Sequence, residues 1–479
     1  MPAVNRDAEY DVVVIGAGST GENVAARVVR GGLTCVVVEN ELVGGDCSYW
    51  ACMPSKALLR SGQALRAAQS VEGASQAITG EIDSRAVLRR RDAFTSHWND
   101  EGQVRWLESG HIDLARGRGR LAGEKRVSVT PPSGDPFTLT ARHAVAVCTG
   151  SKASIPPIPG LETAGAWTSR EATSATEVPR RLLILGGGVV GCEMADAWRT
   201  LGTEEVTLIV REPRLLVNTE DFAGEAVRAA FEQRGIWVLL GVTTEKVTRA
   251  ASGECNVDIS GGRTLAGDQL LIATGRAPRS DDIGLDTVGL RPGMWINVDD
   301  TCRVEGSEWL YAAGDVNHRA LLTHMGKYQA RACGDAIAVR AKGELPGDPP
   351  SWSAFAATAD HASVPQVVFT DPEVACVGLT HERAVAAGLN VRSVDYEIGN
   401  VSGASLIADG YTGHARMTVD EDRKVIVGAT FSGPGVSDLL QAATIAVVGE
   451  VRLDRLWHAV PSYPTMSEIW LRLLETYGL

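Results

Sequence analysis

The chain has 479 residues, of which 44% are hydrophobic and 22% are charged, and its formal net charge is −13. This length exceeds what a single core supports, so we expect about two to four domains. The acidic balance argues against nucleic acid as a partner, because phosphate binding needs a basic surface. The polar start, Met1–Tyr10, and the short apolar run Val12–Ile15 predict neither a signal peptide nor a membrane span, and hence a cytosolic protein.

The first recognisable unit is a strand, a glycine turn, a helix and a second strand. It runs from Asp11 to Gly21, continues through an Ala/Val/Arg stretch, and ends at Thr34–Glu39. A second unit repeats this order from Arg181 to Gly191 and ends at Val206–Val210. Apolar strands that alternate with helical patterns indicate parallel sheets, so the sequence predicts two Rossmann-like domains.

Turn-rich segments separate these units from their neighbours. Pro156–Gly160 is predicted to be a stiff linker, and Gly343–Pro350 a second boundary. Regular elements are expected at four other places, as strands at Val367–Phe369 and Ala415–Val419 and as helices at Ser84–Leu107 and Glu468–Thr476.

The first glycine turn has the spacing of a dinucleotide-binding motif. Gly16 makes the tight turn, Gly18 admits a pyrophosphate, and Gly21 lets helix and strand approach. The phosphate then lies at the positive end of the helix. Glu39 ends the second strand, where a carboxylate binds ribose hydroxyls, so the sequence predicts a dinucleotide here rather than a purely structural turn.

The second turn repeats the motif with Gly186, Gly188 and Gly191. Val210 stands at the position that matches Glu39, and Arg211 follows it, with Arg214 close behind. These arginines favour a 2′-phosphate, and therefore NADPH over NADH. The alternative is that both arginines are only solvated, and Glu212 weakens the case because its charge would repel a phosphate.

Two of the nine cysteines, Cys47 and Cys52, stand in a setting that suggests chemistry. Positions five apart in a regular helix rise by about 7.5 Å, more than a disulfide spans. A bridge would therefore need a distorted turn, which suits a bond that opens and closes. Lys56 is close enough in sequence to favour a thiolate. On spacing alone, two buried free thiols in a reducing compartment are an equal alternative.

The sequence Cys47-x4-Cys52-x-Pro-Ser-Lys56 after a nucleotide-binding unit resembles the flavoprotein disulfide reductases, the class I pyridine nucleotide-disulfide oxidoreductases. This family includes dihydrolipoamide dehydrogenase, glutathione reductase and mercuric reductase. The likeness extends over nearly the whole chain through five further segments, Thr149–Ser151, Ala273–Arg276, Tyr311–Val316, Leu321–Met325 and Phe369–Glu373.

The resemblance implies an α/β fold with two Rossmann-like nucleotide-binding domains, for FAD and NAD(P), and a C-terminal α+β dimerisation domain. The expected FAD domain covers residues 1–154 and 279–350, the NAD(P) domain 155–278, and the dimerisation domain 351–479. Because the C-terminal domain completes the partner's active site in this family, a homodimer is expected.

The resemblance also implies roles for individual residues. Cys47 would attack the acceptor, Cys52 would face the flavin, and Lys56 would pair with Glu193 near it. No metal is expected. The residues assigned to cofactor binding are Gly16, Gly18, Gly21, Glu39, Gly45, Thr149, Gly150, Ser151, Gly186, Gly188, Gly191, Arg211, Gly275, Asp315 and His324.

The chain departs from the family near its C-terminus. Tyr463 stands where the dithiol reductases carry an acid-base histidine, whereas the orienting Glu468 is retained. A neutral phenol is a poor base at neutral pH, and we expect Glu468 to accept a hydrogen bond from it instead. His458 is out of register and is expected to be structural. Mercuric reductases also lack the histidine but carry a C-terminal cysteine pair, and this chain has no cysteine after Cys376.

These features predict an enzyme that passes electrons from NADPH, or NADH, through FAD and the Cys47–Cys52 pair to a disulfide or another small-molecule acceptor. One alternative is a quinone or electrophile reductase in which the cysteines are accessory. A second is a flavin-bound redox sensor with vestigial turnover, against which the intact set of motifs argues.

Overall fold

A computed structural model describes residues 7–345 and 347–479. Residues 1–6 of the polar start and residue 346 of the predicted boundary lie outside the described part. The chain forms two compact units, each built from separated segments. The first comprises Met1–Pro54, Asp92–Ala153 and Arg276–His361, and the second comprises Ser55–Arg91, Ser154–Gly275 and Ala362–Leu479.

The first unit is built on a seven-stranded sheet and a two-stranded ribbon. Its strands are β1 Glu9–Ile15, β2 Cys35–Glu39, β3 Asp113–Arg116, β4 Arg118–Leu121, β5 Arg126–Thr130, β6 Phe137–Val147, β7 Ser151–Ala153, β15 Arg276–Pro278 and β16 Leu310–Ala312. Its helices are α1 Ser19–Arg30, α2 Gly45–Tyr49, α5 Glu101–Ser109 and α9 Thr323–Ala341. Helices α3 Cys52–Gln69 and α4 Ser84–Phe94 contain residues of both units.

The large sheet has the strand order β3-β2-β1-β6-β5-β4, with β16 beside β6. Strand β1 is parallel to both β2 and β6. Its residues alternate between two cores, Val12 and Val14 on the face that α1 covers and Val13 and Ile15 on the other face. Burial on both faces explains why this strand is an uninterrupted apolar run.

The second unit contains the second dinucleotide-type sheet, with strand order β10-β9-β8-β14. The strands of the unit are β8 Arg181–Leu185, β9 Glu205–Val210, β10 Ile236–Leu240, β11 Thr244–Arg249, β12 Cys255–Ile259, β13 Arg263–Gly267, β14 Gln269–Ile272, β17 Pro365–Val368, β18 Glu373–Gly378, β19 Val391–Glu397, β20 His414–Asp420 and β21 Val425–Gly433. Its helices are α6 Ser169–Ser174, α7 Val189–Thr200, α8 Asp221–Gln233, α10 His381–Ala386, α11 Ser402–Ile407, α12 Leu440–Val448, α13 Leu453–Leu456 and α14 Glu468–Tyr477.

The C-terminal part of this unit is a five-stranded antiparallel sheet of order β17-β18-β21-β20-β19. One apolar cluster joins it to the second dinucleotide-type sheet, because Val368 and Val374 pack in the same core as Ile184 and Trp198. A buried carboxylate adds to this junction. Asp196 is fully buried on α7 and binds both Arg66 and Arg234, and it accepts the backbone N–H of Asp371 at 2.8 Å.

The predicted α/β class, with two dinucleotide-type βαβ units and a C-terminal α+β domain, is confirmed. The predicted strands at 367–369 and 415–419 correspond to β17 and β20, and the predicted C-terminal helix corresponds to α14. Residues 156–160 form no regular strand or helix, as expected of a linker.

The single helix predicted over Ser84–Leu107 is wrong. Helix α4 ends at Phe94, a 3-10 turn occupies Ser96–Trp98 with positive φ at all three residues, and α5 begins at Glu101. Asn99 competes with helix formation because its side-chain oxygen accepts the Glu101 N–H at 2.8 Å. In this non-helical segment the Trp98 indole N–H donates a hydrogen bond to the Tyr49 carbonyl at 3.2 Å.

Two glycines of the second glycine turn provide a matched test of how closely the backbone packs at that turn. A Cβ on Gly191 would lie 2.2 Å from the Gly186 carbonyl oxygen, whereas a Cβ on Gly188 would meet nothing within 4 Å. We expect Gly191→Ala to cost about 1–3 kcal/mol of stability, as overpacking does, and Gly188→Ala to cost less than about 0.5 kcal/mol. Thermal unfolding of both variants measures the difference, and equal losses would contradict the close approach.

Candidate active site

The first glycine turn brings backbone segments together more closely than side chains permit. Gly16 has φ +100°, and a Cβ there would lie 2.5 Å from the Cys148 carbonyl oxygen. A Cβ on Gly21 would lie 1.9 Å from the Gly16 carbonyl oxygen. Gly18 caps α1 in an extended conformation and leaves the first helical amides accessible. The turn therefore has the geometry that a pyrophosphate needs.

Glu39 lies at the end of β2 beside this turn, as the sequence predicts. It is buried, and its Oε2 accepts the Ala17 N–H at 2.7 Å while Oε1 accepts the Glu41 N–H at 2.8 Å. Burial raises the pKa of Glu39, and the backbone amides of Glu41 and Ala17 oppose that rise. The carboxylate thus fixes the end of the strand, and a carboxylate has about four acceptor sites, so capacity remains for a ribose hydroxyl.

The cysteine pair spans a break between two helices. Cys47 lies in α2, which ends at Tyr49, and Trp50 leaves the helical region with φ −139° before α3 begins at Cys52. The distorted turn expected from the five-residue spacing is therefore present. Cys52 Sγ lies 3.2 Å from the Thr323 hydroxyl at the start of α9. Contact with Cys52, followed by burial, raises the pKa of Cys47, while Thr323 and Lys327 lower it.

A charged network connects the start of α2 with two of the predicted FAD segments. Ser151 donates to Asp315 at 2.5 Å, and Arg276 donates to both the hydroxyl and the carbonyl of Ser151, at 2.9 and 2.8 Å. Arg276 and Arg279 each approach Asp46, at 3.6 and 3.5 Å. The sequence predicted Ser151 and Asp315 but missed Asp46 and Arg279, because neither stands in a recognisable motif.

The residues present fit FAD. The Thr149 hydroxyl is buried without a hydrogen-bond partner among the described residues, so a bound polar group would satisfy it. Gly45 approaches Gly18 so closely that a Cβ would lie 2.8 Å from the Gly18 Cα, which leaves a cradle of bare backbone at this turn. Burial raises the pKa of Asp315, and Ser151 and Arg276 oppose that rise. His324 lies in the first turn of α9, next to Thr323.

The second turn has the same close contacts. Gly186 has φ +110°, and a Cβ there would lie 2.4 Å from the Ala273 carbonyl oxygen. Gly188 faces open space, as a turn that admits a pyrophosphate requires. Gly275 has φ +140°, and its carbonyl accepts the Ser154 N–H at 2.9 Å.

The two arginines after β9 differ in their partners. Arg214 donates to the carbonyls of Leu216, Val217 and Thr219 at 3.0–3.3 Å, so it holds its own loop. The Arg211 side chain is 78% exposed and forms an ion pair with the neighbouring Glu212 carboxylate at 3.0 Å. Arg211 is therefore the better candidate for a nucleotide phosphate.

Lys56 and Glu193 form the ion pair that the resemblance implies. Lys56 Nζ lies 2.6 Å from Glu193 Oε2, and Glu193 Oε1 accepts the Phe369 N–H at 3.1 Å. The ammonium group also lies 4.9 Å from the centre of the Phe369 ring. Glu193 is buried, so the paired lysine and the amide keep its charge satisfied. Its place beside a flavin stays a prediction.

The C-terminal acid-base position is open to solvent in a single chain. The Tyr463 side chain is 76% exposed. Glu468 is buried, and its Oε2 accepts the Gly403 N–H at 3.3 Å rather than the Tyr463 phenol, so the expected Tyr463–Glu468 hydrogen bond is wrong. The reason is that Glu468 lies at the start of α14, against the helix that contains Gly403.

Across residues 7–345 and 347–479, no group of three or more His, Cys, Asp or Glu side chains is placed to hold a metal ion. The same residues include no helix that is both long and apolar enough to cross a bilayer.

Comparison with known proteins agrees with this geometry. Residues 10–332 match the family model of the pyridine nucleotide-disulphide oxidoreductases, and residues 364–473 match the dimerisation domain of that family. Dihydrolipoyl dehydrogenase of Chlorobaculum tepidum is 33% identical over 469 residues, which cover 96% of this chain and 95% of the relative. Mercuric reductase of Staphylococcus aureus is 28% identical over 468 residues, covering 97% and 82%.

Solved structures show the same fold. The Cu(II) complex of the HOCl-induced flavoprotein disulfide reductase RclA from Escherichia coli has a TM-score of 0.82 at 22% identity, covering 98% of this chain and 99% of the other. LpdA from Mycobacterium tuberculosis has a TM-score of 0.82 at 23% identity, covering 98% and 100%. With its family model matched over two thirds of its length, the chain belongs to the pyridine nucleotide-disulphide oxidoreductases, which are enzymes that use FAD and NAD(P)H.

Proposed function

We propose that this enzyme passes electrons from NADPH through the Cys47–Cys52 pair to a small acceptor other than lipoamide or glutathione disulfide. The observation that carries the proposal is the helix break at Trp50, with Cys47 on one side and Cys52 on the other. When bound, FAD supplies the chemistry that accepts hydride from nicotinamide and delivers two electrons to the disulfide. The protein supplies position and charge for that transfer.

Standard alkyl disulfides are disfavoured as electron acceptors, because their reduction releases an alkyl thiolate that needs a proton. In a dithiol reductase a histidine moves that proton, since imidazole titrates near neutral pH and phenol ordinarily does not. Here the position holds the exposed Tyr463, and the carboxylate of Glu468 is bound to the Gly403 amide. Acceptors with good leaving groups, or electrophiles, depend less on that proton.

Reduction of Hg²⁺ by a C-terminal thiol pair is disfavoured by composition. The last of the nine cysteines is Cys376, so residues 377–479 contain no thiol pair.

The cysteine pair can be tested against direct transfer to quinones. We expect Cys47→Ser to lower the reduction of an aryl disulfide by at least about 100-fold, because the attacking thiolate is lost. Quinone reduction should fall much less, since it needs no thiol. Cys376→Ala, which removes a thiol from β18, is the matched control and should leave both activities near the natural level. If Cys47→Ser reduces the disulfide normally, the cysteines are accessory and the protein is a quinone or electrophile reductase.

We propose that the enzyme is a homodimer of two copies of this chain. Large apolar side chains are exposed on the C-terminal part of the second unit, at Leu406, Ile407, Ile445, Trp457 and Val460. A group of exposed apolar side chains is typical of a protein interface. Static light scattering on the purified protein is expected to give twice the chain mass, and a monomer throughout the concentration range would contradict a homodimer.

The cytosol is the compartment we propose. The seven cysteines outside the proposed redox pair form no disulfide among the described residues, which agrees with a reducing environment. Fractionating the cells that express this protein and detecting the protein in each fraction tests the cytosolic assignment. Recovery of the protein outside the cytosolic fraction would overturn it.

The nucleotide preference depends on Arg211. We expect a higher kcat/KM for NADPH than for NADH, because Arg211 is exposed and free to contact a 2′-phosphate once it leaves Glu212. Arg211→Gln should lower kcat/KM for NADPH by about tenfold, equal to about 1.4 kcal/mol, and leave NADH unchanged. Glu212→Gln is the matched variant and should increase the NADPH preference. A tenfold preference for NADH in the natural enzyme would show that Arg211 does not bind the phosphate.

Because Tyr463 stands in place of the acid-base histidine, we expect weak activity with lipoamide. We expect turnover about 100-fold or more below that of a specialised dehydrogenase, because positioned acid-base catalysis contributes about 10²–10⁴. Tyr463→His should raise lipoamide reduction and leave an aryl disulfide nearly unchanged, since an aryl thiolate leaves without a proton. Steady-state rates with both substrates measure this. If the natural enzyme already reduces lipoamide at the rate of a specialised dehydrogenase, another group moves the proton.

A further inference from the structure

Glu22 is a buried acid that the dinucleotide motif does not require. It lies in the first turn of α1, directly after Gly21, and only 7% of it is exposed. Its Oε1 is buried without a hydrogen-bond partner among the described residues. Taking an ionised carboxylate out of water without a partner is costly, so the neutral form is favoured.

The groups that face Glu22 come from three other elements. Lys327 lies on α9, Glu39 on β2 and Tyr49 on α2. Burial raises the pKa of Glu22 to about 7, the charge of Lys327 opposes the rise, and the charge of Glu39 adds to it. Glu22 therefore changes its charge in the neutral range.

Lys327 also acts on the cysteine pair. It lies one helical turn after Thr323, and residues four apart occupy the same face of a helix. The Thr323 hydroxyl contacts Cys52 Sγ at 3.2 Å. The positive charge of Lys327 lowers the pKa of Cys47, in opposition to the contact with Cys52 and to burial.

The Thr20 side chain of α1 packs directly against the backbone of Gly326 on α9 and of Gly314 before it. A Cβ on Gly326 would lie 2.4 Å from the Thr20 hydroxyl oxygen, and a Cβ on Gly314 would lie 2.7 Å from the same atom. Lys327 follows Gly326 directly, and Glu22 follows Thr20 by two residues. The contact between α9 and α1 therefore brings Lys327 near enough to interact electrostatically with both Glu22 and Cys47.

We propose that Lys327 stabilises the Cys47 thiolate, and that Glu22 sets the strength of that effect by binding or releasing a proton. Both are positioning residues, because they act on Cys47 through charge. The proposal rests on the redox role of Cys47 and Cys52 proposed above.

Two electrons and one proton reach the Cys47–Cys52 bond, the S–S bond breaks, and a Cys52 thiolate and a Cys47 thiol form. Cys47 then releases its proton to solvent, and its thiolate competes with Glu22 for the charge of Lys327, so Glu22 takes up a proton from solvent. When the acceptor takes the two electrons, with the protons it needs from solvent, the S–S bond reforms, both thiolates are consumed, and Glu22 releases its proton.

Variants that remove the charge of Lys327 or of Glu22 should distinguish the effects of these two residues on Cys47. Reduced protein is pulse-labelled with iodoacetamide between about pH 5.5 and 9, and modification of Cys47 is read by peptide mass spectrometry. We expect Lys327→Met to slow labelling of Cys47 near pH 7 by about tenfold, since an opposite charge shifts a pKa by about 1 or more. Glu22→Gln should speed labelling above pH 7 and remove the inflection near pH 7. Lys327→Arg should restore the natural profile.

A distant lysine on the same helix provides the control. Lys342 caps the C-terminus of α9, about 22 Å along the helix from Lys327, so Lys342→Met should not change the labelling.

Thermal unfolding checks the fold of the variants and adds a second readout for Glu22. A raised pKa makes the ionised form unfavourable in the folded state, so the cost appears as the pH rises from about 4.5 to above 7. Glu22→Gln should therefore raise Tm more at pH 8 than at pH 5.

The outcomes distinguish this inference from the proposed function. An unchanged labelling profile in folded Lys327→Met, or in its partner variant Lys327→Gln, would overturn the role of Lys327. An equal Tm shift at both pH values in Glu22→Gln would overturn the titration of Glu22. Neither result depends on turnover, whereas failure of the proposed function would appear as disulfide reduction that survives Cys47→Ser.

Discussion

The contact between two glycine backbones, Gly18 and Gly45, is the constraint on which the site depends. A side chain at Gly45 would lie 2.8 Å from the Gly18 Cα, and the Gly44 N–H donates to the Ala17 carbonyl at 2.8 Å. The helix that contains Cys47 therefore begins directly at the dinucleotide turn. A side chain at Gly45 would prevent this approach, so the distance between the dinucleotide-type turn and the Cys47 thiol is set by backbone geometry.

Ion pairs and hydrogen bonds within each unit join elements that are far apart in sequence. Asp46 at the start of α2 faces Arg276 and Arg279, and Ser151 links these arginines to Asp315. In the second unit, Glu193 uses one oxygen for Lys56 and the other for a backbone amide. The buried carboxylate of Glu193 is thus paired through both oxygens, whereas Oε1 of the buried Glu22 has no hydrogen-bond partner among the described residues.

Much of the fold was predictable because its strands are buried on both faces and its turns need glycine. The alternation of β1 between two cores and the positive φ values at Gly16 and Gly186 are the physical basis of patterns visible in the sequence. The break at Ser96–Trp98 was not predictable, since residues other than glycine rarely adopt positive φ and the partners of Trp98 are distant in sequence.

The site was predictable where a motif fixed the residue and unpredictable where burial decided its chemistry. Cys47, Cys52 and Asp315 follow from spacing and resemblance. Glu22 resembles any acid near the start of a helix, and only the packing of α9 against α1 shows that it is buried. Arg214 was a phosphate candidate by position, whereas the fold uses it to hold three carbonyls of its own loop.

The most direct test of the central claim is an anaerobic titration of the purified flavoprotein with NADPH, followed by absorbance. If electrons reach the Cys47–Cys52 pair, the two-electron-reduced enzyme should show the long-wavelength band of a thiolate next to the flavin, and Cys47→Ser should alter it. Bleaching of the flavin without such a band, together with full disulfide reductase activity in Cys47→Ser, would contradict the dithiol route.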